Sequence, residues 1–109
     1  GTPIRDYVHV LDLAKAHVLA LGAARSGEHL ICNLGSGDGY SVKQVLTAVE
    51  EVTGRPVPHS VGPRRAGDPT RLIASNARAR ERLGWAPELG LAEMVEDAWA
   101  FATTGQTIR

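Results

Sequence analysis

The sequence predicts a mixed α/β fold in which helices dominate the second half of the chain. Two short runs rich in β-branched or apolar side chains, residues 7–10 and 29–33, each lead into a pattern typical of an amphipathic helix. A third helical pattern closes the chain at residues 91–102. The chain has 109 residues, 43% of them hydrophobic, and a chain of this size buries roughly 65% of its unfolded surface. We therefore expect residues 1–109 to form a single α/β unit, either complete in itself or the last part of a larger one.

The first half of the chain is predicted to contain two strands, each followed by a helix. Residues 7–10 favour a strand through their β-branched and aromatic side chains, and Asp12 offers the N-cap of a first helix. Residues 29–33 form a short apolar run typical of a buried strand, which the glycines at residues 35–39 end. Ser41 then caps a second helix. Its apolar face is made of Val42, Val45, Leu46, Val49 and Val52.

The segment after the second helix is predicted to contain no further helix until residue 75. Residues 54–56 end the second helix with a glycine and a proline. Apolar and polar residues alternate over residues 57–61, which indicates an exposed strand, and Pro56 and Pro58 would confine it to the edge of a sheet. Residues 62–69 are too rich in Gly and Pro for regular structure.

Two helices are predicted for the remainder of the chain. Ser75 or Asn76 caps a short helix that runs through Arg82, and residues 84–87 turn the chain. Residues 91–102 form the last helix. Its apolar side is made of Met94, Val95, Ala98 and Phe101.

The composition excludes several classes of function. Twelve basic residues balance twelve acidic ones, so the chain has no field that would attract nucleic acid or an anionic membrane. Cys32 is the single cysteine, which excludes a disulfide framework and a cysteine-rich metal site, and its apolar neighbours predict a small buried thiol.

No apolar run approaches the ~20 residues of a membrane span and no signal peptide is present, so a cytoplasmic location is expected. The opening at Gly1, without an initiator Met, predicts a fragment.

Two groups of residues imitate cofactor or metal motifs without matching them. The glycines at residues 35–39 follow a strand-like run, but the dinucleotide pattern G-x-G-x-x-G requires glycine at position 40, where this chain has Tyr40. We expect a strand-to-helix turn that needs positive φ instead. The four histidines show no i, i+4 pairing and no acidic partner at metal spacing, and no G-x-S-x-G motif is present. We therefore expect neither a catalytic residue nor a metal site within the chain.

The arginines form a different pattern. Arg5 heads the extended segment that leads into the first helix, and Arg64 and Arg65 lie in the irregular loop. Guanidinium groups bind phosphate or carboxylate through two parallel bonds, each worth about 1.5–3 kcal/mol. Two arginines on separate segments suggest a clamp on such a group, with Asp68 available for the vicinal hydroxyls of a ribose. The alternative stays open that the loop arginines are solvated and that Arg5 pairs with Asp6 or another carboxylate.

Seven segments together resemble the C-terminal third of the bacterial UDP-glucose 4-epimerase family, and the match covers essentially the whole chain. The arginine-headed segment and the arginine loop separate this family from related nucleotide-sugar dehydratases. The segments are Arg5-Asp6-Tyr7-Val8-His9-Val10, Asp12-Leu13-Ala14, Ala16-His17, Asn33-Leu34-Gly35-Ser36-Gly37, Ser41-Val42, Arg64-Arg65-Ala66-Gly67-Asp68-Pro69 and Leu83-Gly84-Trp85.

The resemblance implies a fold, a reaction and a partner. The fold is the C-terminal part of a Rossmann-type extended short-chain dehydrogenase, with residues 29–33 as the last strand of the cofactor sheet and a helical nucleotide-sugar-binding region after it. The family interconverts UDP-glucose and UDP-galactose on a tightly held NAD. Hydride leaves C4 of the sugar and returns to the opposite face of the rotated 4-keto intermediate. The intact enzyme is implied to be a homodimer that binds a UDP-sugar, without nucleic acid or membrane as a partner.

The resemblance also assigns roles to particular residues. Arg5 and Arg65 are implied to bind the UDP diphosphate. Asp68 is implied to hold the uridine ribose, and Val42 to pack near the nucleotide. Some family members carry a tyrosine four residues after the loop aspartate, where it excludes N-acetylated sugars. This chain has Leu72 at that position, so we expect the intact enzyme to tolerate UDP-N-acetylglucosamine.

The family's cofactor and proton-transfer motifs are absent from this chain. There is no G-x-x-G-x-x-G loop and no Tyr-x-x-x-Lys pair, since Tyr7 is followed four residues later by Leu11 and Tyr40 by Gln44. We therefore expect NAD to be bound mainly by a missing N-terminal part and the chain alone to be inactive. Two alternatives stay open: another nucleotide-sugar epimerase or dehydratase of the same family, and a UDP-sugar-binding module without catalysis.

Overall fold

The computed structural model describes residues 2–105, and within that range the chain forms a small mixed sheet and four helices. The predicted α/β class is confirmed. In chain order the elements are β1 (Ile4–Arg5), α1 (Val10–Ala23), β2 (Tyr40–Ser41), α2 (Val42–Thr53), β3 (Arg71–Leu72), α3 (Ala77–Leu83) and α4 (Leu91–Thr104).

The sheet has β1 at its centre and strands of two residues. β2 runs antiparallel to β1, with Arg5 opposite Tyr40. β3 runs parallel to β1, with Arg5 opposite Leu72. The amide of Ile4 extends the second pairing by donating to the carbonyl of Thr70 at 2.8 Å. The sheet therefore joins three segments that lie far apart in the sequence.

None of the three predicted strands forms in the described part of the chain. Residues 7–10 lead directly into α1, while residues 29–33 and 57–61 carry no strand. A strand requires a paired neighbour, and these segments have none within residues 2–105. Ile31 is 56% exposed and Cys32 is half-buried, so the expected burial of this run and of its thiol is also wrong.

Helix α1 begins earlier than predicted because a histidine caps it. His9 has the extended backbone of an N-cap, and its Nδ1 accepts from the amide of Leu11 at 3.0 Å. Asp12, the predicted cap, instead lies inside the first turn and is fully buried. Its Oδ2 accepts from the amides of Glu88 and Leu89 at 3.1 and 3.0 Å. The aspartate thus ties α1 to the turn before α4.

Helix α2 begins and ends as predicted. Ser41 and Gln44 form a capping box, and Gly54 ends the helix with a left-handed φ of 70°. The predicted apolar face is half-buried from Val45 to Val52, whereas Val42 at its start is exposed. The helix packs on α4. The predicted apolar side of α4 is only partly covered, because Phe101 remains 62% exposed.

A small core lies between α1 and α3. Ala16, Ala79 and Trp85 are buried together, and the indole Nε1 of Trp85 donates to the carbonyl of Asp12 at 2.8 Å. Asn76 precedes α3 as predicted, but its side chain makes no cap and turns to Gly35 instead. Among the helices of residues 2–105, none combines the length and apolar character needed to cross a bilayer.

Candidate functional site

The irregular loop over residues 62–69 builds a cleft with an ion pair in its wall. Gly67 takes a φ of 83°, and the amide of Asp68 donates to the carbonyl of Arg65 at 3.3 Å, which closes a tight turn. Across this turn the Nε of Arg65 donates to Oδ2 of Asp68 at 2.8 Å. The cleft has a volume of about 360 Å³. Its lining consists of Thr2, Pro3, Val61, Gly62, Pro63, Arg64, Arg65, Asp68, Pro69 and Thr70.

The pair between Arg65 and Asp68 is open to solvent. The side chain of Arg65 is 83% exposed and that of Asp68 is 36% exposed. An exposed pair of this kind is worth about 0–1 kcal/mol. Arg64 stands beside it in the lining and donates to the carbonyl of Asp68 at 3.3 Å. A ligand with an anionic group and hydroxyl groups could therefore displace the bond between Arg65 and Asp68 at a cost of no more than about 1 kcal/mol.

The other predicted site residues lie on the adjoining sheet. Arg5 is half-buried on β1 and stands opposite Leu72, which is 59% exposed on β3. The amide of Val42 donates to the carbonyl of Pro3 at 3.4 Å, and Pro3 also lines the cleft. The predicted site residues therefore lie in two groups. Arg65 and Asp68 lie in the cleft, and Arg5 and Leu72 lie on the sheet. The guanidinium of Arg5 itself is not part of the lining described for the cleft.

The alternative salt bridge between Arg5 and Asp6 does not form within the described residues. The Nη1 of Arg5 donates to the carbonyl of Ile4 at 2.9 Å. The carboxylate of Asp6 accepts backbone amides instead, from Ser36 at 2.6 Å and from Ala74 at 2.8 Å. Sequence reasoning missed this role because the partners lie 30 and 68 residues away.

A buried histidine and aspartate form a second contact that sequence reasoning missed. The Nε2 of His9 lies 2.6 Å from Oδ2 of Asp97, and both side chains are buried. Since the Nδ1 of the same ring accepts from Leu11, the ring serves α1 and α4 together. The expectation that His9 is a packed histidine is confirmed. No cluster of three or more metal-binding side chains occurs in the described residues.

Two glycines of the loop over residues 35–39 lie against the chain's own side chains. Gly37 and Gly39 have φ values of 101° and 77°, which confirms the predicted positive φ, although no strand precedes this turn over residues 29–33. A Cβ at Gly39 would lie 2.6 Å from Cγ2 of Ile73, and one at Gly35 would collide with the carboxylate of Asp6. The glycines thus make room for the chain's own side chains. The N-terminus of α2 is likewise occupied by its own capping box. No residue of this loop is therefore assigned to NAD.

Comparison with known proteins agrees with the sequence resemblance. A family model described as GDP-mannose 4,6 dehydratase matches residues 1–98. A UDP-glucose 4-epimerase of Corynebacterium glutamicum is 62% identical over 104 residues, which is 94% of this chain and 32% of that protein. A UDP-glucose 4-epimerase of Streptomyces lividans is 52% identical over 98 residues, 90% of this chain and 30% of that protein.

Solved structures give the same result. The structure of UDP-glucose 4-epimerase from Bifidobacterium longum in complex with NAD+ and UDP is similar with a TM-score of 0.86 and 39% sequence identity. The match covers 94% of this chain and 30% of that one. The chain therefore spans about 30% of the length of the curated relatives and structures that it matches.

Proposed function

We propose that this chain, which belongs to the GDP-mannose 4,6 dehydratase family, supplies the UDP-sugar clamp of a UDP-glucose 4-epimerase. The reaction proposed for the whole enzyme is the interconversion of UDP-glucose and UDP-galactose by NAD-dependent epimerisation at C4. The observation that carries the proposal is the cleft with Arg65 and Asp68 in its wall, next to the sheet that bears Arg5. The 62% identity to an epimerase over 104 residues supports the substrate class.

The proposed roles follow from the chemistry of the side chains. The guanidinium of Arg65 is planar and presents several N–H donors, so it can exchange its bond to Asp68 for two bonds to a phosphate. Asp68, once released, can accept from the two hydroxyls of a ribose. Arg5 completes the clamp on the diphosphate from the sheet. Val42 lies near the nucleotide and Leu72 near the sugar.

The chemical step is proposed to depend on residues other than those of this chain. When bound, NAD supplies the hydride acceptor and donor. The Tyr-x-x-x-Lys pair that the family uses is absent here, so the chain contributes binding and orientation of the substrate. We propose that NAD is held mainly outside these residues and that the chain alone is inactive.

The test is a calorimetric titration of the 109-residue chain with UDP. Arg65→Ala is expected to weaken binding about tenfold or more, because one charge-assisted bond of at least about 1.4 kcal/mol is lost. Arg25→Ala is the matched control, since Arg25 is also exposed and, among the described residues, donates to the carbonyls of Gly22 and Ala24 at the end of α1. An unchanged dissociation constant for Arg65→Ala would contradict the clamp.

One alternative within the family has support of its own, because the matching family model is described by a GDP-sugar reaction. The same titration distinguishes the two. Tighter binding of UDP than of GDP supports the epimerase. Tighter binding of GDP would favour a GDP-sugar enzyme on the same scaffold.

A further inference from the structure

The carboxylate of Asp6 accepts hydrogen bonds from the loop that precedes β2 and from the segment that follows β3. Asp6 directly follows β1, the central strand. Its Oδ1 accepts from the amide of Ser36, in the loop that leads to β2, at 2.6 Å. Its Oδ2 accepts from the amide of Ala74, which follows β3 by two residues, at 2.8 Å. One side chain thus holds the backbone next to both outer strands against the end of the inner strand.

The surroundings leave this carboxylate little room to move. A Cβ at Gly35 would collide with Oδ2 of Asp6 and would lie 3.1 Å from the Cβ of Ala74. The buried side chain of Asn76 also holds Gly35. Its Nδ2 donates to the carbonyl of Gly35, and its Oδ1 accepts from the backbone amide of Gly35, both at 2.6 Å. The loop backbone is therefore fixed from two directions, and a change at Asp6 cannot be absorbed by a shift of the loop alone.

We propose that Asp6 is a positioning residue for the UDP-sugar, which sets Arg5 relative to the residues opposite it on β2 and β3. The identity of the ligand rests on the proposed function above. Arg5 precedes Asp6 in the chain and pairs with Tyr40 and Leu72. Because the carboxylate of Asp6 is engaged by the amides of Ser36 and Ala74 and by the Ser36 hydroxyl, it acts on the ligand through Arg5 rather than by contact.

The charge state of Asp6 makes both of its bonds possible. Burial acts to raise the pKa of this carboxyl group, but the amides of Ala74 and Ser36 and the Ser36 hydroxyl together bring the pKa below its ordinary value of 3.8. An ionised carboxylate accepts at both oxygens, whereas an asparagine side chain has one accepting oxygen and a donating NH₂ group. Asp6→Asn therefore keeps the shape of the side chain but can satisfy only one of the two amides.

The experiment combines amide hydrogen exchange by NMR with calorimetric titration of UDP on the 109-residue chain. Asp6→Asn is expected to lower the exchange protection of the Ser36 or the Ala74 amide about tenfold and to raise the dissociation constant of UDP about tenfold, as the loss of one part-buried charge-assisted bond implies. Asp38→Asn, a change at an exposed aspartate of the same loop, should alter neither. All variants are compared at a temperature at which circular dichroism shows them folded.

A double-mutant cycle separates positioning from general stabilisation. If Asp6 acts through Arg5, then in an Arg5→Ala background Asp6→Asn raises the dissociation constant by less than about twofold. Full additivity of the two changes overturns the proposal. A lower melting temperature with unchanged UDP affinity of the folded chain overturns it as well, since that is the result for a residue with a structural role alone.

Two further outcomes keep the test decisive. If Asp6→Asn does not fold, Asp6→Glu takes its place, because the extra methylene shifts both oxygens while keeping the charge. The same loss of UDP affinity supports the proposal and unchanged affinity overturns it. If the wild-type chain binds no UDP, the proposed function fails and this role fails with it. If the wild type binds and the Asp6 variants bind equally well, only the positioning role is overturned.

Discussion

At the scale of single residues, Leu72 bears most directly on which sugar is accepted. It lies on β3 opposite Arg5 and is 59% exposed, so a larger side chain can occupy the space beside it. We predict that Leu72→Tyr weakens binding of UDP-N-acetylglucosamine about tenfold, because a steric conflict with the acetyl group costs at least about 1.4 kcal/mol. UDP-glucose binding should stay within about twofold of wild type. Competition titrations against UDP measure both.

The control for this prediction is Leu72→Met, which keeps the size of the side chain and should leave both affinities unchanged. Equal losses for the two sugars in Leu72→Tyr would contradict a role in selection. So would failure of the wild-type chain to bind the acetylated sugar.

Contacts between side chains of the candidate cleft can be anticipated from the sequence only where the partners lie close together in the chain. Arg65 and Asp68 lie three residues apart in a loop of glycine and proline, and the structure pairs them. Asp6 and Asn76 bond to residues 30 and 41 positions away. Sequence periodicity and spacing do not predict such long-range contacts, because these contacts depend on how the sheet brings distant segments together.

At the scale of secondary structure elements, helix ends were predicted better than strands. The capping box of Ser41 and Gln44 and the glycine at position 54 set the bounds of α2 from local chemistry alone. The strand predicted over residues 7–10 was wrong because Val10 is already the first residue of a helix that His9 caps through its ring nitrogen. Whether an apolar run forms a strand depends on pairing partners elsewhere in the chain, so the run alone does not determine its secondary structure.

Also at this scale, Asp12 is expected to stabilise the junction between α1 and the turn before α4. Asp12→Ala leaves the part-buried amides of Glu88 and Leu89 without their acceptor, and we predict a loss of about 2–6 kcal/mol in the free energy of unfolding, at about 1–3 kcal/mol for each of the two amides. Asp12→Asn keeps an accepting oxygen and should lose less than half as much. Urea denaturation followed by circular dichroism measures both.

The exposed Asp38 provides the comparison for Asp12, since Asp38→Ala should change the free energy of unfolding by no more than about 0.5 kcal/mol. Equal losses for Asp12→Ala and Asp12→Asn would show that the two amide bonds do not account for the effect of Asp12.

At the scale of the whole molecule, the described part of the chain leaves large apolar side chains exposed around a small core. Val10, Val18 and Leu21 on α1 are 69%, 71% and 81% exposed. The buried apolar core consists of Ala16, Ala79 and Trp85, while buried polar contacts such as that of His9 with Asp97 join α1 to α4. Hydrogen bonds between elements therefore accompany a small apolar core in the described part of the chain. This balance could not be predicted from the 43% hydrophobic content, which counts apolar residues without locating them.

We propose that UDP binds in the cleft of residues 61–70 beside β1, and a two-dimensional amide NMR titration of the chain with UDP locates the site residue by residue. We expect the largest shift changes on residues 64–68 and on Arg5 and its neighbours, with little change near Arg25, beyond the C-terminal end of α1. Saturating UDP that shifts amides elsewhere and leaves residues 64–68 unmoved would contradict it.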